Sequence, residues 1–264
     1  MAIGQVVESA MLHAVIKERD ECRERLAEYE TSPIADATIC IPYYAQPEYL
    51  PETLASAIGQ TAGLREVIVV DDGSPDNVAR ELCERYKADG APVRYVRVTN
   101  RGLPNARNTG LMLAKGAGFV PLDSDDWLEL TFLEKTLPLL SDYDVSFGGL
   151  QEHGPVRQGT YMPGTDRPVG EVTVELEWQA NRLFYCAVYR TSLLREVGGW
   201  NGRMVNGYED WDMHIDLLKR GARLGGVSEV LFNYRTRPDS MLVSITGKMH
   251  HQIVSEMHRH HDNW

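Results

Sequence analysis

Two short acidic runs follow apolar stretches: Asp71-Asp72-Gly73-Ser74 comes after Val67-Ile68-Val69-Val70, and Asp123-Ser124-Asp125-Asp126 comes after residues 118–122. Carboxylates this close repel one another unless a cation, a sugar hydroxyl or a base N–H shares their charge. A hard divalent cation with oxygen ligands meets that need, and a phosphate substrate would supply its remaining ligands. Helix capping and turn formation are the plainer use of Asp in such loops. Two clusters, at the ends of the second and fourth inferred strands, favour chemistry over capping. A third group, Glu209-Asp210-Trp211-Asp212, precedes a helical stretch that runs to Arg220. It either holds a base opposite a leaving group or caps its helix through the dipole. Five of the eight histidines fall in the last fifteen residues, as His250, His251, His258, His260 and His261. They read as a solvated helix end, with a metal site or a fold-back of His250 or His251 as the sharper alternatives.

The elements that must position these groups are legible from periodicity. β-branched runs at residues 38–41, 67–70, 93–98 and 118–122 read as buried strands, and residues 49–60, 77–89 and 103–115 between them read as helices. Such βα alternation with right-handed crossovers gives a parallel sheet covered by helices, with ligands outside the carboxyl ends of the strands. Further on, Gly and Pro crowd residues 148–170, which predicts a loop-rich insertion or hairpin. Helices are expected at residues 191–197 and 210–220, a strand at 226–233 and a terminal helix at 245–260. At the other end, residues 6–29 lack Gly and Pro and carry Val7, Met11, Val15, Cys22 and Leu26 at helical spacing. That amphipathic helix packs on the main domain or pairs with a second copy, so a homodimer is one option. The expected organisation is a helical extension (1–33), an α/β domain (34–240, in two halves, 34–143 and 144–240) and a C-terminal helix (241–264).

Composition narrows the function classes. A chain of 264 residues with 43% hydrophobic and 25% charged residues folds around a sizeable core. The net charge of −11 argues against a nucleic-acid partner. No apolar run is long enough to cross a bilayer, and no basic, apolar leader opens the chain, so the expected location is cytoplasmic. Cys22, Cys40, Cys83 and Cys186 are scattered, which suits buried small residues better than a zinc or disulfide framework.

With these residues in hand, the sequence resembles glycosyltransferase family 2, of the α/β GT-A fold, from about Thr38 to Tyr234. The resemblance rests on Ile41-Pro42-Tyr43-Tyr44, on Asp71-Asp72-Gly73-Ser74, and on Asn100-Arg101-Gly102-Leu103 with Ala106-Arg107-Asn108-Thr109-Gly110. Asp123-Ser124-Asp125-Asp126 and Gly198-Gly199-Trp200 leading to Glu209-Asp210 complete it, in the family's order. It implies an inverting transfer of a sugar from a nucleoside-diphosphate donor to an acceptor hydroxyl. UDP comes first among nucleotides, ahead of GDP or dTDP, and the acceptor is a glycan, a lipid, a protein or a small molecule. By resemblance, Asp72 accepts the base N–H, while Pro42 and Tyr44 line the base pocket and either Tyr43 or Tyr44 stacks on the base. The Asp123-Ser124-Asp125 segment is the family's DxD region: Asp123 contacts ribose or sugar, and Asp125, with Asp123, binds Mn2+ or Mg2+ beside the diphosphate. Asp210 is the general base, with Glu209 as substitute, and Trp200 and Trp211 flank the site. Arg107 either contacts the donor or pairs with a neighbouring Asp.

One departure stands out. Where many members read Tyr-Arg-x-His, this chain reads Tyr234-Arg235-Thr236-Arg237. Arg237 cannot ligate a cation, but it can bind a diphosphate by charge-assisted hydrogen bonds, with Arg235 as the alternative. Two other readings compete: a non-catalytic nucleotide-sugar-binding module, and a nucleotidyltransferase. The latter usually needs a Gly-rich basic loop where this chain has Pro42-Tyr43-Tyr44-Ala45-Gln46.

Overall fold

The computed structural model describes residues 34–163, 169–241 and 245–261. The predicted helix at residues 6–29, and Cys22 within it, lies outside the described residues. Apolar runs and amphipathic stretches alternate from Ala37 onward. Strands β1 (Ala37–Tyr43), β2 (Leu64–Asp71), β3 (Val93–Arg97) and β4 (Gly118–Pro121) are joined by helices α1 (Leu50–Ile58), α2 (Val78–Ala88) and α3 (Leu103–Leu113). β1 and β4 are buried along their whole length, which is why they read as continuous apolar runs and not as alternating ones. Pro51 and Pro104 sit in the first turns of α1 and α3, where a missing N–H breaks no helical hydrogen bond.

The remaining elements are β5 (Trp127–Leu128), α4 (Phe132–Thr136), β6 (Val145–His153), β7 (Thr160–Tyr161), α5 (Val174–Gln179), β8 (Val188–Arg190), α6 (Thr191–Glu196), α7 (Glu209–Lys219), β9 (Leu224–Arg235) and α8 (Gly247–His260). The nine strands of the described residues form one mixed sheet of order β3-β2-β1-β4-β8-β6-β9-β5, with β7 paired to β6. The β3-β2-β1-β4 portion is parallel. β8 runs antiparallel to both β4 and β6, and so joins it to the β6–β9 pair.

The loop expected to begin at Gly148 is instead the middle of β6. A Cβ at Gly148 would lie 2.6 Å from the Leu231 Cβ, and one at Gly149 would lie 2.7 Å from the Glu229 carbonyl oxygen. These glycines let β6 approach β9, so they mark close packing and not a turn. The hairpin itself is present farther on, as the β6–β7 pair. β9 is also longer than expected and runs to Arg235, which carries Arg237 to the sheet edge. Most buried apolar side chains form one core around the sheet, and a smaller cluster of Met204, Trp211, Ile215, Ile253 and Met257 joins α7 to α8. Cys40, Cys83 and Cys186 are free and buried, as expected for small apolar residues.

Candidate functional site

The chain runs outward through β1, β2 and β3, then returns to place β4 on the other side of β1. This is a topological switch point, where the loops after neighbouring strands diverge and leave a crevice. A cavity of about 970 Å3 opens there, and Pro42, Tyr44, Asp72, Arg107, Asp123, Ser124, Asp125, Glu209, Asp210 and Arg237 all line it.

One wall follows β1 and β2. Pro42 pairs with Val70, while the β1–β4 ladder has already ended at Cys40 and Pro121, so its missing N–H removes no bond on that side. Tyr43 is core: its hydroxyl donates to Asp76 Oδ1 at 2.8 Å. Tyr44 is 52% exposed at the cavity mouth, so of the two tyrosines it is the one free to meet a ring. The paired carboxylates of the turn divide in role. Asp71 is buried under Tyr95, Arg97 and the Ser74 N–H. Asp72 accepts the Arg101 and Gly102 N–H groups at 2.9 and 2.8 Å, one on each oxygen, and so fixes the loop ahead of α3. The Ser124 hydroxyl donates to Gln46 Oε1 at 2.5 Å, linking the loops after β1 and β4.

The floor of the cavity is a charge network. Arg107 is 1% exposed, and its guanidinium reaches Glu209 Oε1 at 2.6 Å and Asp123 Oδ1 at 2.7 Å. Its carbon Cζ stands 4.9 Å from the Tyr185 ring centroid and 5.8 Å from that of Trp200. Burial works against the charge on Arg107, but the charges of Asp123 and Glu209 outweigh it and hold the guanidinium protonated. The geometry holds the ion pair with Asp123, and Arg107 also lines the cavity, so both of its readings stand. Asp125 is pushed up to about 6, first by burial and then by the charge of Asp123, with Arg237 opposing. Arg237 Nε forms an ion pair with Asp125 Oδ2 at 2.9 Å. Asp123 and Asp125 together offer oxygen donors and excess negative charge, which fits a hard divalent cation. Asp126 faces elsewhere: buried, it accepts the Tyr185 hydroxyl at 2.5 Å and the Arg235 N–H at 2.7 Å, and its pKa is raised by burial and by Asp125 and Asp123. Arg235 is engaged as well, with Asp125 O at 2.9 Å and Glu52 Oε2 at 2.5 Å.

The far wall begins at α7. Glu209 is pushed up to about 7 by burial, a shift that Arg107 opposes, and its carboxylate is bound to that arginine. Asp210 is less confined. Its Oδ1 accepts the Trp211 N–H at 2.8 Å, the Asn181 amide lies 3.4 Å from Oδ2, and burial raises its pKa. Between the two acids, Asp210 is therefore the one with freedom to take a proton. Trp211 lines the cavity beside it, while Trp200 is packed core against Phe119. Asn108 serves that core, since its amide bonds the Trp200 main chain at 2.6 and 2.9 Å.

Sequence reasoning missed Gln46, Asn181, Tyr185 and Tyr208, all of which line the cavity. Tyr208 has φ of 62°, an uncommon left-handed conformation for a large side chain, just ahead of α7. Nothing in the local pattern distinguishes these four, because each acts through partners far away in the chain.

Of the C-terminal histidines, His251, His258 and His260 are exposed, as in a solvated helix end, whereas His250 is half-buried and His261 buried. His250 lines the cavity but faces the Tyr208 hydroxyl at 3.2 Å, and Asp125 has Arg237 for its partner instead. His258 stacks on Trp178, with centroids 5.0 Å apart, and His260 and His261 meet carboxylates of α7.

Comparison with known proteins adds to this geometry. A family model described as Glycosyl transferase family 2 matches residues 38–198, more than half of the chain. Chondroitin synthase of Escherichia coli is 35% identical over 244 residues, which is 89% of this chain and 34% of that protein. The uncharacterized glycosyltransferase EpsJ of Bacillus subtilis (strain 168) is 26% identical over 217 residues, 77% of this chain and 62% of that protein. The chain thus spans less than two thirds of the length of either relative. The S. aureus TarS 1-349 structure in complex with UDP-GlcNAc aligns with a TM-score of 0.69 at 20% identity, over 84% of this chain and 66% of that one. At that identity the likeness is one of fold.

Proposed function

The chain belongs to glycosyl transferase family 2, and from that membership we propose that it moves a sugar from a nucleoside-diphosphate donor, a UDP-sugar, to an acceptor hydroxyl with inversion. The observation that carries this reading is the single cavity lined by the Asp72 turn, the Asp123–Asp125 pair and, on the far wall, Asp210. The TarS complex with UDP-GlcNAc supports UDP as the nucleotide.

In this mechanism Tyr44 and Pro42 border the base, and Asp72 accepts its N–H with the lone pairs left over from binding the loop. Asp123 and Asp125 would hold Mn2+ or Mg2+, whose bound charge stabilises the departing diphosphate. Arg237 adds charge-assisted hydrogen bonds to the same diphosphate, exchanging its contact with Asp125 for the phosphate oxygens. Ser124, held by Gln46, fixes the loop between the two acids. Arg107 positions Asp123 against Glu209 from the cavity floor. Asp210 takes the proton of the acceptor hydroxyl as that oxygen attacks the anomeric carbon from the face opposite the leaving group, which inverts the configuration. Because only the carboxylate form serves as a base, and burial raises its pKa, the acid limb of the pH profile lies above the ordinary Asp range. Among the described residues no helix is long and apolar enough to cross a membrane, and we propose action in the cytoplasm on a glycan, lipid, protein or small-molecule hydroxyl.

The test is release of UDP from a panel of UDP-sugars in the presence of Mn2+ or Mg2+. Asp210→Asn is expected to lower kcat by about 100- to 10,000-fold while the UDP-induced rise in Tm persists. Asp125→Asn is expected to weaken the metal dependence of that rise. Nucleotide binding without turnover by the unaltered chain would favour the non-catalytic module. Full activity of Asp210→Asn would remove its role as the base.

A further inference from the structure

Outside the cavity, α7 and α8 bring four metal-ligating side chains together. Asp212 and Asp216 are one helical turn apart on α7, so they project from the same face. Ile253 and Met257 of α8 pack with Trp211 and Ile215 of α7, and this contact carries His260 and His261 onto the two carboxylates. One ligand atom from each residue lies within 4.8 Å of the others. His260 Nδ1 is 2.8 Å from Asp212 Oδ2, and His261 Nδ1 is 3.5 Å from Asp216 Oδ1. None of the four lines the nucleotide-side cavity.

A second observation points to a ligand. The Asp212 side chain is 0% exposed and that of His261 2% exposed; Asp212 Oδ1 and His261 Nε2 form an ion-pair contact at 3.1 Å, yet among the described residues neither atom has a hydrogen-bond partner. Two buried polar atoms left without hydrogen bonds are costly, and a cation bound by both from one side satisfies them. Two imidazoles disfavour Mg2+ or Ca2+, which take oxygen ligands, and suit Zn2+ and its neighbours; two carboxylates neutralise a dication. We propose that Asp212, Asp216, His260 and His261 form a zinc-class transition-metal site that clamps α8 onto α7. Lys219 competes for this charge: its Nζ is 2.8 Å from His261 Nδ1. Ligation through Nε2 leaves the proton on Nδ1, so metal loading turns the ammonium away.

The experiment uses the full chain, stripped of metal with a chelator and titrated with Zn2+ and with Co2+ as the spectroscopic probe. An Asp125→Asn chain is titrated in parallel to separate this site from the donor site. Both chains are expected to take up one ion with the visible absorption of a four-coordinate Co2+ site. His260 is exposed, so His260→Gln preserves the fold, as circular dichroism checks. It should weaken Zn2+ binding beyond the about 10–100-fold that loss of a merely supporting contact costs. Lys219→Met should tighten it. An unaltered chain that takes up no Zn2+, or a His260→Gln isotherm that overlays it, would show the cluster to be a set of ion pairs and overturn the proposal.

Discussion

Arg107 is the residue on which the site's electrostatics turn. It is a buried cation between two buried or half-buried carboxylates, from segments 16 and 102 positions away in the chain. A pair of this kind gains little over an apolar substitute as a whole, but removing one member leaves the others as uncompensated buried charges. Arg107→Met is therefore expected to destabilise the fold by about 3–5 kcal/mol, measured by urea unfolding. Adding Glu209→Gln should recover part of that loss, because it removes one of the stranded charges. A loss below about 1 kcal/mol, the range of exposed pairs, would mean that water reaches the network. Lysine is no substitute, since a point charge cannot address both carboxylates with the guanidinium's fixed fork.

Between elements, α3 and β1 approach so closely that a Cβ at Gly110 would lie 2.2 Å from Cys40 Sγ. Helix propensity alone favours Ala at that position by about 1 kcal/mol, but the clash is larger. Gly110→Ala is expected to lower stability by about 1–3 kcal/mol, and Cys40→Ala in the same chain should restore part of it. Equal Tm values for Gly110→Ala and the unaltered chain would show that α3 can shift. The same scale explains what was legible in the sequence. β1, β2 and β4 are buried on both faces and so appear as unbroken apolar runs, and Asp72, Asp123 and Asp125 stand out as charges directly after them. β6 was hidden because Gly148 and Gly149 serve a close approach to β9 that has no local signature. β5, β7 and β8 are two or three residues long, too short to carry a period. The bonds from Arg107 to Glu209 and from Tyr185 to Asp126 join residues without any spacing rule, so the site's members were readable but its wiring was not.

For the whole molecule, buried acids make stability depend on pH in an unusual direction. Glu177 is fully buried, and desolvation pushes its pKa up to about 8 from an ordinary 4.5. Between those values the folded chain holds a proton that the unfolded chain has released, so this residue's contribution to stability falls as pH rises from about 4.5 to about 8. The slope is of order 1 kcal/mol per pH unit at most. Urea midpoints of the unaltered chain and of Glu177→Gln, compared at the two ends of that window, should show the smaller decline in the variant. Parallel declines would assign the effect to other acids, of which Asp126 and Glu209 are also raised.

The cavity draws Pro42 and His250 into one surface although more than 200 positions separate them. Synthesis delivers the chain from its amino end, and neighbouring βα units close their contacts first because the loops they must order are short. The segments of the parallel ladder through β4 emerge before Asp210, Arg237 and the whole of α8. For that interval the acidic edge is an open shelf without a far wall. On the proposed function, the residues assigned to nucleotide recognition are thus synthesised before those assigned to catalysis.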